Sequence, residues 1–190
     1  MLNLKESLQY LKSFPLAEYL LIENHKLNKK QIEKLGFPLW LKVNSSEHKA
    51  KLGGVAKILS FEELEESIKN FSKKFSFPFI LQKDSKGEEI MLGIKQDKTF
   101  GKTIVFGLGG SNVEIFKDLS FLVLPASRQE IEKSFQELKI YKILKEKNCK
   151  ILELISLIEK LSKLNVKEAD FNPIIVNDKE AKIVDCRIEI

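Results

Sequence analysis

The chain has 190 residues, 43% hydrophobic and 31% charged, with thirteen Phe, nine Gly and five Pro. This composition suits a packed globular protein of one domain or two small lobes and excludes disorder or a fibrous repeat. Lys and Arg number 32 against 27 Asp and Glu, a net charge of +5, yet Arg128 and Arg187 are the only arginines. Sequence readers of nucleic acid lean on Arg forks, so this lysine charge reads as solvated surface. A phosphate ligand or a complementary subunit is the expected anionic partner, and not a nucleic acid. Cys149 and Cys186 make neither a disulfide framework nor a closed zinc site. No apolar run approaches the roughly 18 residues of a membrane span. The opening Met1-Leu2-Asn3-Leu4-Lys5-Glu6 lacks the layout of a signal peptide, so a cytoplasmic protein without a membrane partner is expected.

The chain alternates helix and strand patterns, which predicts an α+β fold. Leu4, Leu8 and Leu11 recur at helical spacing and predict a helix over 4–13. Strands follow at 17–22 and 38–43, with a helix over 29–35 closed by Gly36 between them. After the polar loop Asn44–Leu52, Gly53-Gly54 opens a strand to Leu59, and Ser60 with Glu63 starts a helix reaching about Lys74. Strands are predicted at 78–84 and 88–96, with Ser85-Lys86-Gly87 as the turn. Further strands are expected at 103–106, 113–116 and 121–124, helices at 127–138 and 149–164, and a closing pair of strands at 169–176 and 181–188. The lobe boundary is set near Ser76-Phe77-Pro78. This gives a smaller lobe over 16–76 and a larger one over 77–190, on which the helix at 4–13 packs.

With Asp178-Lys179 as the tip of the last hairpin, Asn172 sits opposite Asp185 and Asp170 opposite Arg187. Opposed side chains are about 5 Å apart at Cβ, near enough for an amide and a carboxylate oxygen to share a hard cation such as Mg²⁺. A polar outer face with cross-strand pairs fits the same pattern, and Pro173 can break the register. Gly53-Gly54 and Gly107-Leu108-Gly109-Gly110 offer either close backbone approach to phosphate or ordinary tight turns. Lys42 ends the apolar run Pro38-Leu39-Trp40-Leu41, as an edge-strand lysine or one that meets an anion. His48, flanked by Lys49 and beside Lys51, reads either as an exposed loop residue or as a nucleophile toward phosphorus. Glu89 and Glu114, on strands near the glycine turns, suit a ribose hydroxyl, a metal or plain solvent.

Taken in order, these segments resemble the ATP-grasp β subunit of ADP-forming acetyl-CoA and acyl-CoA synthetases. The most specific stretch is Gly93-Ile94-Lys95-Gln96-Asp97-Lys98-Thr99-Phe100-Gly101, followed by Val105-Phe106-Gly107-Leu108-Gly109-Gly110, Val113-Glu114 and Lys117-Asp118. Gly36-Phe37-Pro38 with Leu41-Lys42, His48-Lys49 with Gly53-Gly54-Val55, and Asp170-Phe171-Asn172-Pro173 with Val184-Asp185 complete it. The resemblance implies one ATP-grasp domain over 1–190, two α+β lobes with ATP or ADP held between them, and Mg²⁺ as cofactor. Lys42, Gly53, Gly54, Gln82, Lys83, Glu89, Gly109 and Gly110 would then serve the nucleotide: Lys42 at the phosphates, the Gln82-Lys83 backbone beside adenine, and Glu89 at the ribose. Glu114, Asn172 and Asp185 would hold the metal.

His48 would be the transiently phosphorylated histidine that carries phosphate between an α subunit and ADP. The net reaction would be acyl-CoA + ADP + phosphate ⇌ acid + ATP + CoA, catalysed by a hetero-oligomer. The chain departs from the family pattern at Ala50, Lys51, Gln96 and Leu122. Two alternatives accompany this reading. One is a catalytically degenerate ATP-grasp module that stabilises an α partner, and the other is a succinyl-CoA synthetase β-like ligase subunit.

Overall fold

The computed structural model of the chain describes residues 1–46, 53–110 and 117–190. Two compact units divide them. One comprises Asn3–Tyr10 and Ala17–Ser85; the other comprises Met1–Leu2, Leu11–Leu16 and Lys86–Ile190. The boundary therefore follows Ser85 rather than lying at residues 76–77.

The reason is β4 (Phe79–Lys83). Phe79, Ile80, Leu81 and Gln82 are buried in succession, the signature of a strand inside a sheet. The strand pairs on both sides, with β1 (Tyr19–Ile22) and with β2 (Leu39–Val43). With β3 (Val55–Ile58), the antiparallel order is β1-β4-β2-β3. The helices α1 (Leu4–Tyr10), α2 (Lys29–Leu35) and α3 (Phe61–Phe71) complete this unit. Leu39, Leu41, Ile58, Leu64, Ile68, Phe79 and Leu81 form its core.

The first helix stops at Tyr10, short of the expected residue 13, and groups with this smaller unit. The Lys5 N–H donates to Asn44 Oδ1 just beyond β2 (2.8 Å), which fixes its start there. A reciprocal cap also sets that start: the Asn3 N–H donates to Glu6 Oε2 (2.9 Å) and the Glu6 N–H to Asn3 Oδ1 (3.0 Å). At α3 the predicted capping pair is half formed. Ser60 Oγ accepts from the Glu63 N–H, but the Glu63 carboxylate accepts from the Leu59 N–H (2.7 Å).

The second unit holds β5 (Glu88–Asp97), β6 (Gly101–Leu108), β7 (Leu119–Val123), β8 (Glu168–Val176), β9 (Ala181–Ile183) and β10 (Arg187–Glu189). They form an antiparallel sheet, β10-β8-β5-β6-β7, with β9 also paired to β8. Its helices are α4 (Arg128–Gln136), α5 (Lys139–Glu146) and α6 (Ile151–Ser162). Ile90, Leu92, Ile94, Ile104, Phe106 and Phe171 are buried, and Phe106 stacks on Phe135 of α4 at 5.9 Å. The opposite face, by strand alternation, carries Glu89, Met91 and Gly93 of β5 with Asp170 and Asn172 of β8.

The strand expected at 103–106 extends over Gly101–Leu108, because it zips against β5 along Ile90–Asp97. Asp97 turns this hairpin: its Oδ1 accepts the Phe100 and Thr99 N–H groups, which hold its carboxyl below the usual range. The strand expected at 113–116 lies outside the described residues.

Replacing Phe171, fully buried on β8, with alanine removes a large core side chain between two polar positions of the opposite face. The expected loss is about 3–5 kcal/mol of unfolding free energy, measured by urea denaturation. A loss below about 1 kcal/mol would show that this layer is not close-packed.

Candidate functional site

In the smaller unit the site begins with Lys42. The strand β2 lies between β4 and β3, so the edge-strand reading of this lysine does not hold. Lys42 is 5% exposed. Its ammonium donates to Gln82 Oε1 at 2.6 Å, and Gln82 is itself buried. The register pairs Trp40 with Gln82 and Lys42 with Ile80, so the two polar side chains meet diagonally on one face. The Gln82 side chain thus contributes more than the backbone contact expected of it.

Lys83 is exposed. Its backbone N–H donates to the Glu18 carbonyl (2.9 Å), and its ammonium lies 3.5 Å from the Glu18 carboxylate. Beyond it, Asp84 accepts the Trp40 indole N–H at 2.7 Å and pairs with Lys57 at 3.3 Å. Gly53, at φ +67, turns the chain into β3, and the Gly54 carbonyl accepts the Val43 N–H at 2.9 Å. His48 lies outside the described residues.

In the larger unit, Glu89, Gly109, Gly110 and Asn172 come together. The Gly109 N–H donates to the Glu89 carbonyl at 2.7 Å and the Gly110 N–H to Asn172 Oδ1 at 2.9 Å. The sequence leaves these glycines either close to phosphate or in ordinary tight turns; in the structure their N–H groups are engaged within the protein. Their lack of side chains lets strand and loop meet. A Cβ on Gly109 would lie 2.6 Å from the backbone of Ile90, and one on Gly110 (φ +79) would lie 1.7 Å from Glu89 Oε2.

The last hairpin keeps its expected register on both sides of an interruption. Ile183 pairs with Ile174, and Arg187 with Asp170. Between these pairs lie three residues on each strand, 171–173 and 184–186, with Asn172 and Asp185 in the middle of each. The predicted continuous strand 181–188 is nonetheless split into β9 and β10. Pro173 has no N–H for the ladder, and its carbonyl accepts from both Val184 (3.1 Å) and Asp185 (3.4 Å). The β5–β8 register also shifts here, between Ile90 and Leu92. Asp185 Oδ1 accepts the Cys186 N–H at 2.9 Å.

Asn172 offers an amide oxygen with a second lone pair, and Asp185 offers a carboxylate. Both are hard oxygen donors of the kind Mg²⁺ takes, so the residues present fit that ion. Glu114 lies outside the described residues, and no group of three or more His, Cys, Asp or Glu able to hold a metal occurs among the described ones. Sequence reasoning gave Asp118 no role. Its two oxygens accept the Lys139 and Ile140 N–H groups (2.8 and 2.7 Å) and so cap α5, while the Asp118 carbonyl accepts from Leu108 at the root of the glycine loop (3.0 Å). No helix among the described residues is long and apolar enough to cross a membrane.

A small antiparallel α+β unit with a buried lysine, and a larger one with an asparagine and a glutamate on one face of its antiparallel sheet, are the parts of an ATP-grasp protein. Residues 2–190 match the ATP-grasp domain family. The β subunit of ADP-forming acetate–CoA ligase II from Pyrococcus furiosus is 33% identical, over 96% of this chain and 89% of that one. ADP-forming acetate–CoA ligase II of Archaeoglobus fulgidus is 32% identical over 92% of this chain, which spans 28% of its length.

Among solved structures, the dinucleotide-forming acetyl-coenzyme A synthetase 1 of Ca. Korarchaeum cryptofilum superimposes with a TM-score of 0.81 at 29% identity. It covers 98% of this chain and 91% of that one, and it was solved with coenzyme A and Mg-AMPPCP, its phosphohistidine segment pointing towards the nucleotide-binding site. The chain belongs to the ATP-grasp family, in the group of ADP-forming acetate–CoA ligase β subunits.

Proposed function

We propose that this chain is the nucleotide-binding β subunit of an ADP-forming acyl-CoA synthetase, which passes a phosphoryl group from a partner α subunit to ADP through His48. The observation that carries this reading is Lys42 buried against Gln82, supported by a last hairpin whose expected register holds on both sides of the stretch containing Asn172 and Asp185. Lys42 binds the nucleotide phosphates, the strand end at Gln82-Lys83 borders adenine, and Glu89 accepts a ribose hydroxyl. Gly53 and Gly54 shape the end of the His48 loop. Mg²⁺, held by Asn172, Asp185 and Glu114, supplies neutralisation of phosphate charge, which is most of what phosphoryl transfer requires.

His48 acts as a relay. At the α subunit a ring nitrogen attacks the phosphorus of an acyl phosphate, forming the N–P bond as the P–O bond to the acyl group breaks and the acid leaves. A terminal phosphate oxygen of ADP then forms the new P–O bond as the N–P bond breaks, leaving ATP and the free imidazole. The acyl and CoA chemistry belongs to the α partner, so the working assembly is a hetero-oligomer. The Korarchaeum structure, with its phosphohistidine segment pointing towards the nucleotide-binding site, supports a histidine relay of this kind.

The reading is tested by incubating the chain with Mg²⁺ and ATP labelled in its γ-phosphate. Label that is stable in alkali and lost in acid is expected on the protein, as a phosphohistidine requires. An unlabelled chain that still forms a stable complex with an α subunit would instead make it a non-catalytic scaffold.

A further inference from the structure

We infer that Gly110 is a positioning residue that fixes which end of the Asn172 amide faces the metal. The inference rests on the reading above, in which Asn172 is a ligand of Mg²⁺. An asparagine side chain has two ends of nearly equal shape. Only the oxygen can ligate a cation, whereas the NH₂ end carries protons toward it. The torsion that exchanges them is broad and roughly two-fold, so packing alone selects an end weakly. A hydrogen-bond donor at one end selects it strongly.

The Gly110 N–H is that donor. It lies 2.9 Å from Asn172 Oδ1, which defines the oxygen end and leaves its second lone pair for a ligand. The donor's own position is set from two directions. The adjacent Gly109 N–H is tied to the Glu89 carbonyl on β5 at 2.7 Å. The Gly110 backbone, at φ +79, passes so close to Glu89 that a Cβ would fall 1.7 Å from Oε2. The exposed Glu89 carboxylate can swing aside, but a side chain at 110 is strained at this positive φ, and relieving that strain turns the loop that carries the donor. Asn172 is only half-buried and sits beside the register shift of β8, where the ladder does less to hold a side chain. The glycine is thus a support for the ligand, in the way that outer partners commonly orient metal-binding groups.

The experiment titrates Mn²⁺ into the chain in the presence of ADP and follows free Mn²⁺ by electron paramagnetic resonance, with circular dichroism as the record of folding. Gly110→Ala is expected to weaken Mn²⁺ binding roughly tenfold or more. Adding Asn172→Asp to that variant is expected to restore most of the loss, because both ends of a carboxylate ligate and neither is the wrong one. A general disturbance of the fold would not be repaired in this way. If Gly110→Ala does not fold, Glu89→Ala/Gly110→Ala is compared with Glu89→Ala alone, which removes the group that the new methyl strikes; the strain of alanine at φ +79 remains, so the same tenfold difference is expected.

Equal Mn²⁺ affinity in wild type and Gly110→Ala overturns the inference. So does a loss that Asn172→Asp leaves unrepaired, since the glycine would then hold the loop and not the amide. A wild-type chain that binds no Mn²⁺ with ADP present would overturn the functional reading itself, an outcome distinct from either.

Discussion

His48→Ala, assembled with the proposed α partner, is expected to form no measurable ATP from acyl-CoA, ADP and phosphate. Loss of a covalent nucleophile removes a chemical step rather than weakening an interaction, so a fall on the order of 10⁴-fold or more is expected. ADP affinity of the same variant should stay at the wild-type level, because Lys42, Glu89, Asn172 and Asp185 are untouched. This split, with binding retained and turnover gone, is what separates a relay from a residue that helps hold the nucleotide. Normal ATP formation by His48→Ala would remove the histidine from the mechanism and leave direct transfer to ADP as the remaining route.

The second large effect is expected at Lys42. Methionine matches the length and volume of the lysine stem, so Lys42→Met keeps the packing of β2 while deleting the ammonium. ADP binding measured by calorimetry should weaken roughly a hundredfold, about 2.8 kcal/mol, the scale of losing a buried charged contact. The change also removes the donor to Gln82 Oε1, which costs about 1–3 kcal/mol of stability where a buried acceptor loses its partner. Lys42→Arg separates the two effects, since it keeps the charge in a longer, planar head group. Unchanged ADP affinity in Lys42→Met would mean that the Lys42–Gln82 pair is only a polar bond within the sheet.

What the sequence made legible follows from how local each signal is. The last hairpin could be registered from its turn alone, and the pairing of Asp170 with Arg187 is as expected. Pro173 was recognisable as the threat to that register, and it does split the returning strand in two. Helix α5 was missed because nothing at its own start announces it: Leu138 makes no side-chain cap. The cap is Asp118, twenty-one residues upstream.

The unit boundary was misjudged for a similar reason. The run Phe79–Gln82 carries no mark of which sheet it joins, and its central position appears only once β1 and β2 flank it. The glycines at 109 and 110 were legible as a place of close approach, but not what approaches. Either a phosphate or an ordinary turn fitted the sequence, whereas the groups met in the structure are the Glu89 and Asn172 side chains and the Ile90 backbone.

Trp40 is the chain's single tryptophan. It lies on β2 two residues from Lys42, with its indole N–H bonded to Asp84 at 2.7 Å. Near-ultraviolet excitation of indole therefore illuminates the four-stranded unit and leaves the six-stranded one dark. Its emission is an intrinsic optical label for one half of the molecule, so melting of that half can be followed by itself without attaching a dye.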